Sequence, residues 1–121
     1  MSVVAGAAPV KHPSNSTELP SEDQVKAAVT SFSMLAEPTR LRLLWLVSAE
    51  ELDVSTLAAR LEATVSLVSA HLAKLRLAGL VDTRKAGRHV LYRARDVHVR
   101  SLIAEALFHA DHQVSGIADH D

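Results

Sequence analysis

Between Asp53 and Arg93 the apolar residues repeat twice with a helical period and then switch to alternation, an order that few folds accept. Asp53-Val-Ser-Thr opens a short helix whose Leu57, Ala58 and Leu61 face inward. After a break at Glu62-Ala-Thr, a longer helix over Val65–Ala78 sets Val68, Leu72 and Leu75 on one stripe, and Gly79 supplies a left-handed stop. Leu80-Val-Asp-Thr-Arg and His89-Val-Leu-Tyr-Arg then alternate on either side of Lys85-Ala-Gly-Arg88, the pattern of a β-hairpin with a basic, glycine-containing tip. Two helices joined by a tight turn and followed by a hairpin predict a winged helix-turn-helix, a mostly α fold with one small β-hairpin.

Helices flank this unit on both sides. Residues 1–20 hold most of the prolines together with Gly, Ser and Asn, and read as a flexible arm. Ser21 caps a first helix with Glu22 and Asp23 at its positive end, and Val25, Ala28, Val29, Phe32 and Leu35 keep helical spacing along it. Pro38 opens a second helix with Leu41, Leu44, Trp45 and Val47 on its buried side. A last helix runs from Asp96 to about His112, so the expected domain covers residues 21–112 and a polar tail covers 113–121.

The chain of 121 residues has room for one domain and one core. It contains no cysteine, which removes disulfides, thiolate catalysis and every sulfur-based metal site. The apolar opening Met1–Val10 lacks a basic flank and a following apolar run, no stretch has the length of a membrane span, and a cytoplasmic protein is expected. Neither a His-Glu-x-x-His motif nor a nucleophile arrangement is present, so a hydrolase is not expected.

A net charge of −1 conceals a sharp division. Thr56–Arg95 carries +6, whereas the residues from Asp96 onward carry −4, and partners of opposite charge are implied. Opposite the buried stripe of the longer helix lie Ser66, Ala70 and Ala73, flanked by Ser69 and Lys74. Small and hydroxylated side chains let a helix sit deep in a major groove of double-stranded DNA. Arg84, Lys85 and Arg88 on the hairpin suit phosphate contacts, which supply affinity and salt dependence but little sequence information. His71, at the edge of the buried stripe, reads as a packed, hydrogen-bonded histidine.

Four segments, Leu35 to Leu44, Ser66 to Arg76, Ala78-Gly-Leu-Val and Gly87-Arg-His-Val-Leu-Tyr, resemble the ArsR/SmtB family of bacterial metal-responsive repressors. The resemblance covers roughly Val25 to His112. It implies a homodimer in which the first and last helices pair, and a protein that leaves its operator when an inducer binds.

The last helix suggests the inducer. At about 100° per residue, His98, Glu105, His109 and His112 share one face, opposite a packing stripe of Val99, Ile103, Ala106, Leu107 and Ala110. Imidazole and carboxylate suit Zn(II), Ni(II) and Co(II). His98 stands about 16 Å along the axis from His109, too far to share an ion within one chain. Antiparallel pairing with a second copy brings Asp96 and His98 of one subunit beside His109 and His112 of the other, giving two equivalent sites. The resemblance implies the same ligands, since family members sensing metal here use Asp-x-His near the helix start and His-x-x-His near its end. The cysteine pair that others carry before the third helix is replaced by Asp53 and Ser55. Asp96 serves equally as a helix cap and Glu105 as a surface residue, and the histidines fit a plain solvated face. Four N/O ligands complete tetrahedral zinc. The His-bearing tail through His120 resembles nickel/cobalt sensors, and His120 and His12 read equally as further donors or as idle surface residues. A repressor under non-metal control and a structural dimerisation module are the alternatives.

Overall fold

A computed structural model describes residues 18–119, with side chains through 116. The elements are α1 (Glu22–Leu35), α2 (Pro38–Ala49), α3 (Val54–Leu61), α4 (Val65–Leu77), β1 (Val81–Ala86), β2 (His89–Ala94) and α5 (Val97–Asp119). The chain divides into two units, residues 1–30 and 31–121, with the junction inside α1. In the first unit Ser21 begins α1 with a reciprocal capping box. The Gln24 N–H donates to Ser21 Oγ (3.1 Å) and the Ser21 N–H donates to Gln24 Oε1 (2.9 Å).

Within the second unit, each helix start has a side-chain acceptor for an otherwise unpaired N–H. Glu37 accepts from the Arg40 N–H at 2.8 Å, Asp53 from Thr56 at 2.9 Å, Thr64 from Leu67 at 3.1 Å and Asp96 from Val99 at 3.0 Å. Pro38 sits in the first turn of α2, where its missing N–H costs nothing. The bend from α3 to α4 turns on Glu62, which ends α3 in the left-handed conformation at φ 53°. Gly79, at φ 78°, stops α4 in the same way without a steric penalty.

The strands pair antiparallel from Val81 opposite Ala94 to Ala86 opposite His89, which leaves Gly87-Arg88 as a two-residue loop. Gly87 has φ 64° and Arg88 does not have positive φ, the pattern of a type II′ turn. Leu52, between α2 and α3, forms a bridge with Tyr92 on the outer edge of β2.

The core is aliphatic. Leu43, Leu44 and Val47 of α2 meet Leu57 of α3, Val68, Leu72 and Leu75 of α4, Val81 and Ala94 of the hairpin and Ile103 of α5. No polar or charged residue among the described residues is buried. Two details differ from the sequence reading. Trp45 is 48% exposed and Leu43 takes the buried place expected for it. The helix α5 continues to Asp119, through the segment read as a tail. No proline follows Asp96, so nothing in the sequence halts the helix at His112.

Candidate functional site

Burial of Val68, Leu72 and Leu75 turns the opposite side of α4 to solvent. Ser66, Ser69, Ala70, Ala73 and Lys74 are all exposed on it, as the spacing predicts. Val65 and Leu67, which lie off the buried stripe, are nearly half exposed beside Ser66. The first turns of α4 therefore offer hydroxyl and apolar groups to a groove, with Lys74 one turn further on.

His71 is not on that surface. Its Nδ1 lies 3.3 Å from Arg40 Nη1, and because a guanidinium only donates, Nδ1 accepts. Arg40 Nε in turn donates to the Met34 carbonyl at 2.7 Å. Glu37 Oε1 stands 3.9 Å from the imidazole, beyond hydrogen-bond reach. The Arg40 N–H at the helix cap holds the Glu37 carboxyl below the usual carboxylate range, with desolvation opposing and the nearby Arg40 charge assisting. This cluster joins α4 to the start of α2, and its role is structural.

On the hairpin, Lys85 and Arg88 are exposed at the tip and form no ion pair among the described residues. Arg84 differs. Its Nε donates to Glu51 Oε1 at 2.8 Å, and its Nη2 lies 2.6 Å from the same oxygen. Arg93 Nη1, on the other strand, donates to Glu51 Oε2 at 3.3 Å. The Arg84 hydrogen bond is the main cause that lowers the Glu51 carboxyl and raises the Arg84 guanidinium from their ordinary values. Of the three hairpin cations suited to phosphate contacts, Arg84 alone has its guanidinium engaged by a carboxylate. Nothing in the sequence marks this, because Glu51 lies far from both arginines along the chain. Two residues on, Asp53 Oδ2 pairs with His89 Nδ1 at 3.0 Å.

Along α5, Ile103 is buried and Val99, Leu107 and Ala110 are partly covered, while Ala106, expected on the packing stripe, is exposed. His98, Glu105, His109 and His112 all face solvent. The ring of Phe108 meets that of His112 edge-on, 4.7 Å between centres and 82° between planes. Asp96 stands just outside the helix, and the Val99 N–H holds its carboxyl below its ordinary 3.8. Among the described residues no three His, Asp or Glu lie close enough to hold one ion. One chain thus presents Asp96 and His98 at the start of α5 and His109 and His112 past its middle without uniting them. His12 and His120 lie outside the described residues.

A family model for bacterial regulatory proteins of the arsR family matches residues 37–83, from the cap of α2 into β1. The regulator KmtR of Mycobacterium tuberculosis is 43% identical over 99 residues, covering 82% of this chain and 76% of KmtR. The chain belongs to the arsR family. Another relative, a transcriptional repressor SmtB homolog of Synechocystis, is 42% identical over 95 residues, 78% of this chain and 70% of that one. The homodimeric winged helix-turn-helix DNA-binding domain from Mycobacterium bovis superposes with a TM-score of 0.74 at 26% identity, covering 80% of this chain and 93% of that domain. This arsR-family member is a winged helix-turn-helix transcriptional regulator, not an enzyme. No helix among the described residues is long and apolar enough to cross a membrane.

Proposed function

We propose that this chain is a homodimeric repressor that binds operator DNA and is released when Ni(II), Co(II) or Zn(II) binds between the two copies of α5. The observation that carries the reading is an exposed face of α5 that bears Asp96 and His98 at its start and His109 and His112 about three to four turns further on. The donor set fits: neutral imidazoles and a carboxylate, with no thiolate, match borderline divalent ions. Within a regular helix Asp96 would point away from His98, two residues on, but it sits before the first helical residue and is free of that constraint. Its Oδ1 is committed to the Val99 N–H, and coordination falls to Oδ2.

The dimer is supported by the exposed apolar residues of α5, with Phe108 60% exposed, by Phe32 of α1 at 59%, and by the homodimeric Mycobacterium bovis domain. When bound, a divalent ion supplies coordination bonds that tie the two α5 helices together. Ser66, Ser69, Ala70 and Lys74 read or line the major groove, and Lys85 and Arg88 hold phosphates. By linkage, DNA weakens metal binding by the factor by which metal weakens DNA binding. Acid weakens sensing, since imidazoles must be neutral to coordinate.

The test is fluorescence anisotropy of operator duplex with the full chain, titrated with Zn(II), Ni(II) and Co(II). Release at stoichiometric metal, abolished by His109→Ala with DNA affinity retained, is expected. Tight DNA binding indifferent to all three ions would leave a repressor under other control.

A further inference from the structure

Three consecutive residues between α2 and α3 grip the wing at successive points. Glu51 takes Arg84 from β1 and Arg93 from β2 on its two carboxylate oxygens. Leu52 exchanges both backbone hydrogen bonds with Tyr92, its N–H donating at 3.1 Å and its carbonyl accepting at 2.8 Å. Asp53 pairs with His89, next to the turn, while its other oxygen caps α3. The cap makes the strap continuous with the helix-turn-helix, so the hairpin is fastened to α3 by side-chain and backbone bonds as well as by packing.

We propose that residues 51–53 hold the wing in its DNA-binding pose and keep Arg84 off the phosphate backbone, with Glu51 as the positioning residue. The inference rests on the reading that α4 and the wing bind duplex DNA. Arg84 lies two residues before Ala86, the last strand residue ahead of the turn, or about 7 Å along an antiparallel strand. That is comparable to the length of an extended arginine side chain, so a released guanidinium can extend along its own face of the hairpin, opposite to that of Lys85, to a phosphate beside the tip. A carboxylate that occupies a guanidinium acts as an internal substitute for phosphate. Glu51 thereby lowers non-specific affinity while it orients the wing for the operator.

The experiment compares the full-length wild type with Glu51→Gln, and with Glu51→Gln combined with Arg84→Ala, on operator and random-sequence duplexes across a salt series. Melting curves check folding. For Glu51→Gln the slope of log affinity against log salt on random DNA steepens by about 0.9 per protomer, the value of one added phosphate contact. The ratio of operator to random affinity falls, and adding Arg84→Ala returns the slope to that of the wild type. A merely destabilising substitution lowers both affinities without steepening the slope. Without DNA, amide exchange at Leu52 and Tyr92 accelerates in Glu51→Gln. An unchanged slope with unchanged exchange overturns the proposal, as does a steeper slope that survives Arg84→Ala. Failure of the wild type to bind any duplex would refute the DNA reading itself, while the exchange result still decides whether Glu51 holds the wing.

Discussion

Removing the two tip cations together, Lys85→Ala with Arg88→Ala, tests the wing in a way that can be worked numerically. Both side chains are exposed and neither forms an ion pair among the described residues, so the fold loses little on their removal. A homodimer carries two wings, and the double substitution deletes four phosphate contacts if each cation makes one. Each contact contributes about 0.9 to the slope of log affinity against log salt, so the slope becomes shallower by about 3.6. Between 50 and 200 mM salt, that difference is about 150-fold in affinity. Phosphates carry no sequence information, so operator and random duplexes lose affinity in the same proportion. Anisotropy titrations at several salt concentrations measure both effects. A slope changed by less than about 0.5, with the melting curve intact, would mean that the tip does not touch the backbone.

Three other outcomes follow from the packing and the charges. Leu72 is wholly buried in α4, and Leu72→Ala costs about 2–5 kcal/mol, visible as a lower denaturant midpoint with both DNA and metal responses weakened together. Phe32→Asp places a charge on an exposed apolar face and raises the dimer dissociation constant by about 100-fold or more, read by analytical ultracentrifugation; an unchanged constant excludes α1 from the interface. The Glu51 carboxyl is held below its ordinary 4.5, so its ion pairs contribute fully above that value and are lost as pH falls through the lowered one. The melting-temperature gap between wild type and Glu51→Gln therefore holds above the ordinary glutamate value and narrows as pH falls below it, whereas a gap that does not narrow in acid contradicts the pairing.

Most of the fold was legible because each boundary has a local chemical cause. Ser21, Asp53 and Thr64 accept bonds from the N–H groups that a new helix leaves open, and Gly79 and Gly87 take positive φ where the chain turns. The α2 face was legible at Leu41, Leu44 and Val47 but not at Trp45, since Leu43, Trp45 and Leu46 make nearly every side of that helix apolar. Periodicity then cannot choose between Leu43 and Trp45; contacts with α4 and α5 do. The extension of α5 was hidden by the polar composition of Gln113, Ser115 and Gly116, although Ala110 and Val114 keep helical spacing. Among the site residues, the exposed row on α4 and the histidine face of α5 followed from spacing alone. The engagement of Arg84 did not, because it depends on a loop residue 33 positions away.

The position of α5 has a mechanical consequence. It rests on α2 and β2, and these two elements reach the two halves of the surface proposed to meet DNA: α2 packs on α4, while β2 is half of the wing. A tilt of α5 is thus delivered along two arms from one fulcrum, with a close-packed aliphatic interior between them. Such an interior does not absorb displacement. The proposed reading helix and the wing thus share one rigid support, and a tilt of α5 would reach both and alter the spacing between the two reading helices of a dimer.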